Sequence, residues 1–337
     1  MQKTKITAAI AALVATGLVL GATALPAQAA TKSIKVGVIA INSMGAIQYA
    51  QDTGIFKKNK INVSEFVTFP APPPGLAALN AGSVDFMYAP TIPVINSVFN
   101  GGLKLKIVAG ADGYLKSDIT EALGDPEFAA KMDDTGACVA KNGSIKGWKD
   151  LEGKTVSVPA RGAQGEVTIS AAVKKAGGDA SKINWVVLSF PEVQNAVSTG
   201  KIDAGFVVEP FTTACKSAEA ALPAPGVQFF TEGGSIGVWV TSEKFAKANP
   251  SVVAAFQKAI YAANKAGMAP ATLNAVVRAS LKITKQTFVV AKAANPTFYP
   301  STVKLAEVQS VADKMTGLGF LKKKVSVKAI MPTAIKK

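Results

Sequence analysis

The chain has 337 residues, a length that predicts two domains at about 150 residues each. Hydrophobic residues make up 49% of it and charged residues 18%, which excludes a disordered or fibrous protein. Histidine is absent, so histidine metal ligands, histidine general bases and Ser-His-Asp triads are excluded as well. We therefore expect no catalytic residues, no metal and no cofactor.

The first thirty residues have the pattern of an export signal. Lys3 and Lys5 precede a long uncharged run, and Ala27-Gln28-Ala29 offers the small-x-small motif of a signal-peptidase site. The alternative is an uncleaved membrane anchor, because the apolar run approaches the length of a transmembrane helix. Threonines and glycines that dilute the run favour cleavage. We predict a signal peptide over residues 1–29 and a periplasmic mature protein that is not embedded in the membrane.

The net charge is strongly positive. Cleavage would remove two lysines and no acidic residue, which lowers the formal charge from +15 to +13. The stretch from Lys322 to Lys337 is especially basic. Nucleic-acid binding is one explanation, but arginine is nearly absent and no aromatic residues alternate with the lysines. We expect a solvated basic surface and no nucleic-acid partner.

Cys138 and Cys215 are the only cysteines. They form either a disulfide, which export favours, or two separate buried thiols. A bridge across these 77 residues would contribute on the order of 4 kcal/mol in the chain-entropy model. We expect the disulfide.

Two segments about 120 residues apart repeat one pattern of strands and helices. The first copy has a strand over 34–39, a helix ending at Gly54, a strand from Ile61 to Phe69-Pro70, a helix ending at Gly82 and a strand over 84–88. The second has a strand over 154–158, a helix ending near Gly177, a strand from Ile183 to Phe190-Pro191, a helix ending at Gly200 and a strand over 202–208. Glycine supplies the left-handed turn after each helix. The pattern predicts an α/β fold of two similar lobes, each a mostly parallel sheet flanked by helices.

The remaining hydrophobic segments belong to neither copy. Strands are predicted over 105–109 and 238–240, and Asn249-Pro250 begins an amphipathic helix that contains Phe256. Another helix is predicted over 303–315. We expect these C-terminal helices to pack on the first lobe. This predicts a discontinuous lobe I of residues 30–113 plus 234–337, and a lobe II of residues 114–233.

A ligand site is expected where the two sheets face each other. In open parallel sheets, ligands bind beyond the carboxyl ends of the strands, where helix N-termini offer free amides. The loops at these strand ends supply the candidate ligand-binding residues: Ser43, Met44, Tyr88, Thr91, Arg161, Gly162, Ala163, Gln164, Phe190 and Glu209.

The candidate residues also bear on the class of ligand. The Arg161 guanidinium would suit a carboxylate or sulfonate; alternatively, Arg161 faces solvent or pairs with Glu166 or Glu209. The loop over 70–75 contains four prolines, so it offers few N–H donors and predicts an apolar wall. The aromatic residues at the strand ends have core packing as their alternative role. A flat or partly apolar ligand is favoured over a bare inorganic anion.

The order and spacing of several motifs resemble a known family. The sequence is similar to the periplasmic solute-binding proteins of ABC importers, in the nitrate, sulfonate, taurine and pyrimidine-precursor group. The segments that carry the resemblance are 50–58, 77–86, 150–156, 200–204 with Glu209-Pro210, and 242–245 with Asn249-Pro250. One departure is Pro72-Pro73-Pro74, where the family often has small residues.

The resemblance implies a type II periplasmic binding fold that closes by a hinge over one small ligand. Carried over by position, the ligand contacts fall at Ser43 and Met44, 88–91, 161–164 and Glu209. It implies the substrate-binding component of an ABC import system for an anionic or flat heterocyclic or aromatic solute. Its partners would be that solute and the transmembrane permease subunits, and we expect a monomer.

Two other classes of protein remain as alternatives. One is an enzyme on the same fold that acts on a pyrimidine-like small molecule; the absence of histidine and the low cysteine content argue against it. The other is a signalling or adhesion ectodomain, which would need a membrane tether or an exposed apolar patch.

Overall fold

The computed structural model describes residues 32–332. The predicted signal peptide lies outside the described residues. The strands are β1 (Lys32–Val38), β2 (Ile61–Thr68), β3 (Phe86–Pro90), β4 (Leu105–Tyr114), β5 (Thr135–Val139), β6 (Thr155–Val158), β7 (Asn184–Val187), β8 (Ala204–Val208), β9 (Ala220–Pro223) and β10 (Gly234–Ser242).

The α-helices flank these strands. They are α1 (Gly45–Asp52), α2 (Ile55–Lys58), α3 (Pro72–Ala81), α4 (Thr91–Phe99), α5 (Lys116–Gly124), α6 (Pro126–Met132), α7 (Gln164–Lys175), α8 (Phe190–Ser198), α9 (Phe211–Ala218), α10 (Pro225–Phe229), α11 (Glu243–Ala248), α12 (Pro250–Gly267), α13 (Leu273–Thr284), α14 (Phe288–Ala293) and α15 (Leu305–Gly317). Short 3₁₀ helices cover Asn42–Met44, Trp148–Leu151, Ala180–Lys182 and Val327–Ile330.

The strands form two five-stranded sheets with the same pattern of pairing. The first has the order β2-β1-β3-β10-β4, and the second has the order β7-β6-β8-β5-β9. In each sheet the strand that opens the repeat pairs in parallel with the next two strands of its copy, and an antiparallel strand follows in the order. The predicted duplication is thus confirmed. We call the part built on the first sheet lobe I and the part built on the second lobe II.

The repeated aspartate of each copy has one structural role. Asp85 accepts a hydrogen bond from the Lys35 N–H at 2.9 Å, and Asp203 accepts one from the Thr155 N–H at 2.8 Å. Each carboxylate therefore accepts from a backbone N–H of the first strand of its copy, in the middle of β1 and at the start of β6.

The repeated asparagine that follows isoleucine also has equivalent contacts. Asn62 Nδ2 donates to Ser33 Oγ at 3.1 Å, and Asn184 Nδ2 donates to Thr155 Oγ1 at 3.2 Å. Both bonds join the first and second strands of a copy. The motifs that reveal the duplication thus align parallel strands.

Two local predictions were wrong. The proline-rich segment forms no loop, because Pro72, Pro73 and Pro74 are the first turn of α3, where a missing N–H costs no intrahelical bond. Phe190-Pro191 does not close a strand but begins α8, which Ser189 and Glu192 start with a capping box. The two Phe-Pro motifs therefore stand in different local structures.

Helix α12 of the C-terminal segment packs on the first sheet. Phe256 of α12 is fully buried, and its ring stacks on that of Phe86 in β3 with centroids 3.8 Å apart. The ring of Trp239 in β10 packs edge-on against the Phe256 ring, with centroids 5.8 Å apart. The boundaries of the lobes at residues 113 and 233 stay a prediction, although β4 ends at Tyr114 and β10 begins at Gly234.

A disulfide joins Cys138 of β5 to Cys215 of α9. Both residues are fully buried in a satellite core of lobe II, together with Val193, Val197 and Phe211. The bridge therefore ties a helix to the sheet that it covers, across 77 residues of sequence.

We expect the double substitution C138S/C215S to lower the free energy of unfolding by about 2–4 kcal/mol, because the unfolded chain regains the entropy of a long loop. Urea denaturation of the double variant and of the wild type, with and without reductant, measures the difference. Reductant should shift only the wild-type midpoint. Equal midpoints for all four samples would contradict a stabilising bridge.

Candidate ligand-binding cleft

A cavity of about 40 Å³ lies between the two lobes, beyond the carboxyl ends of their parallel strands. One water molecule needs roughly 10–15 Å³ of such space, so the cavity has room for only a few waters. The two lobes are therefore close together here. Its lining comes from both lobes: Ile39, Ile41, Pro72, Tyr88, Pro90, Asp112, Asp134, Pro159, Ala163, Gln164, Gly165, Phe190, Phe206, Val208 and Ile236. The walls are largely apolar, with a few polar groups between them.

The polar side of lobe I is a buried tyrosine–aspartate pair. Tyr88 Oη donates to Asp112 Oδ2 at 2.7 Å, and both residues are nearly inaccessible to solvent. Burial raises the pKa of Asp112, while the Ser43 and Tyr88 hydroxyls and the Gly237 N–H oppose that rise. Burial and the nearby Asp112 raise the pKa of Tyr88 well above its usual value. The pair therefore presents an acidic group to the cleft.

A second aspartate faces the cavity from the start of lobe II. Asp134 precedes β5 and is partly buried, and its Oδ1 accepts a hydrogen bond from Tyr114 Oη at 3.0 Å. Burial, followed by the charges of Asp133 and Asp112, raises the pKa of Asp134 well above its usual range. Two carboxyl groups from different lobes thus lie close enough to affect each other's ionisation.

Asp133 joins the two segments that connect the lobes. It is 1% exposed, and its Oδ1 accepts from Tyr114 Oη at 2.6 Å and from the Thr135 N–H at 2.8 Å. Its Oδ2 accepts from the Val227 N–H at 2.7 Å, in the segment that returns to lobe I. Asp133 is therefore a structural carboxylate with both oxygens in use.

Glu209 forms another junction between the lobes. Its carboxylate accepts from Thr213 N–H at 3.0 Å and from Asn295 N–H at 3.2 Å. Its backbone carbonyl accepts from the Asn42 N–H at 3.1 Å. Burial raises the pKa of Glu209, and the Asn295 and Thr213 donors oppose the rise. Glu209 itself is not among the residues that line the cavity.

Comparison with known proteins assigns the fold. Residues 130–271, fewer than half of the chain, match the family model described as NMT1/THI5 like. The alkanesulfonate-binding protein SsuA from Xanthomonas axonopodis pv. citri, solved with MOPS, superposes with a TM-score of 0.68 over 90% of this chain and 98% of its own, at 19% identity. The chain has the periplasmic binding protein fold.

Other solved structures share this fold. The periplasmic nitrate-binding protein NrtA from Synechocystis PCC 6803 has a TM-score of 0.68 at 14% identity, over 88% of this chain and 84% of its own. The desulfurization enzyme DszB has a TM-score of 0.60 at 12% identity, over 89% of this chain and 96% of its own. No curated protein matches the sequence. Within residues 32–332, no helix is both long enough and apolar enough to traverse a bilayer.

Four of the sequence-predicted site residues line the cavity of this periplasmic binding protein fold. They are Tyr88, Ala163, Gln164 and Phe190. Ser43 lies beside Tyr88 and Asp112, and hydrogen bonding by its hydroxyl lowers the pKa of both residues.

The other predicted site residues have contacts elsewhere. Met44 is buried in the core of lobe I, and Thr91 Oγ1 donates to the carbonyls of Ser235 and Ile236 at 3.0 and 2.7 Å. These two residues hold lobe I together. Glu209 stands at the junction described above.

Arg161 and Gly162 lie at the edge of the cleft. Arg161 donates to both carboxylate oxygens of Glu166, from Nε at 2.9 Å and from Nη2 at 2.8 Å. The Gly162 carbonyl accepts from Asn96 Nδ2 of lobe I at 3.0 Å, and its N–H donates to Glu166 at 2.6 Å. The loop therefore links the lobes, and its arginine is held by a carboxylate of its own lobe.

Two acidic residues of the cavity, Asp112 and Asp134, were not among the site residues predicted from the sequence. Asp112 lies near the C-terminal end of β4, and Asp134 lies just before the start of β5. A charged residue inside an otherwise hydrophobic strand was the signal that could have found Asp112.

The Asp134 carboxyl group should make stability depend on pH. Its pKa is raised in the fold above the value of about 3.9 in the unfolded chain. The protonated form is therefore favoured by folding, and this contribution is present below about pH 4 and lost as pH rises through the folded pKa. We therefore expect Asp134→Asn, which removes the charge, to increase the free energy of unfolding at pH 7.5.

Urea denaturation between pH 4 and pH 8 measures this effect. The gain should shrink towards pH 4, where the wild-type carboxyl is protonated. Asp313→Asn, at an exposed position of α15, is the matched control and should give no gain. An Asp134→Asn variant that is less stable than the wild type at pH 7.5 would contradict the raised pKa.

Proposed function

We propose that this protein is the substrate-binding component of an ABC import system, exported through a cleaved signal peptide and working as a monomer in the periplasm. It captures a small organic solute between its lobes and delivers it to the permease. The observation that carries the proposal is the cavity lined from the strand ends of both sheets. The similarity to sulfonate-binding and nitrate-binding proteins supports it.

The lining of the cavity favours a flat solute. Phe190 and Phe206 stand on one side with ring centroids 6.2 Å apart, and Pro72 and Tyr88 line it from lobe I. Aromatic and proline side chains are rigid and lose little entropy when they pack against a planar ligand. An aromatic or heterocyclic solute gains most from such walls.

Hinge closure would couple binding to the permease. The Asn96–Gly162 and Asn42–Glu209 hydrogen bonds join the lobes on either side of the cavity. A solute that contacts both lobes adds to these bonds and so stabilises the closed state. The lobe I and lobe II surfaces beside the closed cleft would then form one surface for the permease.

The second candidate is an enzyme on the same fold. It is favoured by the similarity to DszB and by two cavity carboxyl groups with raised pKa values, a property of general acids. Turnover separates the two functions, because a binding protein releases its solute unchanged. Mass spectrometry of a bound solute after long incubation with the protein would detect turnover.

We expect at least one small solute to raise the melting temperature and to compact the protein. A thermal-shift screen with MOPS, other sulfonates, carboxylates and pyrimidine-like heterocycles identifies binders. Small-angle X-ray scattering with a confirmed binder should show a smaller radius of gyration than without it. A complete screen that gives neither stabilisation nor compaction would overturn the proposal.

We also expect Asn96→Ala to weaken binding of a confirmed solute by about two- to tenfold, because the closed state loses one hydrogen bond worth about 0.5–1.5 kcal/mol. Calorimetry measures the loss. Asn184→Ala is the control, since that side chain bonds only within lobe II and should leave the affinity unchanged. Equal effects of the two substitutions would argue against closure between Asn96 and Gly162.

A further inference from the structure

We propose that the solute carries a flat, positively charged nitrogen group, such as an amidinium or a protonated aromatic amine, which the carboxylates of Asp112 and Asp134 bind. This inference rests on the proposed function and names the chemistry of the same cleft. The proposed solute is therefore a cation, whereas Arg161 in the sequence favoured an anionic solute.

The cavity is acidic on both sides. Asp112 lines it from lobe I and Asp134 from the start of lobe II, and no lysine or arginine within residues 32–332 takes part in the lining. The charges that act on the pKa of Asp134 come from Asp133, Asp112 and Glu209, all acidic. An anionic solute would add to this repulsion, whereas a cation would relieve it.

Arg161 does not offset this charge. Its guanidinium makes two hydrogen bonds to the carboxylate of Glu166, whose side chain is 8% exposed. A solute anion would have to displace a paired carboxylate that then stays buried without its cation, which is costly. The local ion pair therefore removes the basic group on which an anion site would depend.

Gln164 adds an amide group to the lining of the cavity. It is 7% exposed and lines the cavity at the start of α7. Its side-chain amide has no hydrogen-bond partner within residues 32–332, and it is not a buried unsatisfied group, because the buried side-chain atoms without a partner there are Asn42 Oδ1 and Ser157 Oγ. An amide that both donates and accepts suits a planar nitrogen group, which Asp112 and Asp134 would contact with their carboxylates.

The aromatic walls fit the same group. Tyr88, Phe190 and Phe206 line the cavity together with the two aspartates. A planar cation stacks on aromatic faces more favourably than a planar anion does, because the ring face carries negative charge. Shape and charge therefore select for the same class of solute.

Two pairs of probes with matched shapes test the inference: benzamidine against benzoate, and 4-aminopyridine against benzenesulfonate. Affinities are measured by calorimetry and ligand-observed NMR at pH 7.5. We expect benzamidine to bind at least tenfold more tightly than benzoate, and 4-aminopyridine more tightly than benzenesulfonate. Asp134→Asn and Asp112→Asn should each weaken benzamidine binding at least tenfold, and Asp313→Asn should not change it.

Unfolding would not explain weaker benzamidine binding by Asp134→Asn, because this variant is expected to be more stable than the wild type. Its melting temperature is measured in parallel to check this. Preference for benzoate or benzenesulfonate would overturn the inference and leave the proposed import function standing. Unchanged benzamidine binding in both aspartate variants would overturn it in the same way. Absence of binding by all four probes would overturn it as well; the import function would fail only if the wider solute screen also found no binder.

Discussion

The buried carboxylate of Asp133 ties together the two segments that connect the lobes. It receives hydrogen bonds from the strand that leaves lobe I, through Tyr114, and from the segment that returns, through Val227. In a site without solvent such charge-assisted bonds are strong and their geometry is fixed. The network uses both carboxylate oxygens of Asp133, whereas the carboxyl group of Asp134 accepts, among residues 32–332, only from the Tyr114 hydroxyl. Asp133 thus joins the segments that connect the lobes, while the neighbouring carboxyl group of Asp134 faces the cleft.

The duplication was predictable because its signals are local and occur twice. Asp85 and Asp203 accept from the first strand of their copies, and a glycine with positive φ precedes each, at Gly82 and Gly200. A side chain that hydrogen-bonds the backbone of its own copy has a structural role that can be predicted from the sequence pattern. The antiparallel insertion of β10 into the first sheet and of β5 into the second depends on long-range pairing, and no local pattern indicated it.

The candidate site was predictable only in part, for a related reason. Tyr88, Gln164 and Phe190 follow or begin repeated elements, so the strand-end rule found them. Asp112 lies near the end of β4 in lobe I and Asp134 lies just before β5 in lobe II, so they meet only when both lobes are packed. Local sequence predicts which groups reach the end of a sheet, but it does not determine which groups from the other lobe they meet.

In the proposed mechanism, the acidic cleft would couple the selection of the solute to the closure of the lobes. Burial of Asp112 and Asp134 opposes their ionisation, so closure without a compensating charge favours their neutral forms. A cationic group between them would favour the ionised forms and the closed state together, since each stabilises the other. A neutral solute of the same shape would gain the contacts with the aromatic walls but not this coupling. Charge would then determine how completely the lobes close, and shape would determine which solutes enter.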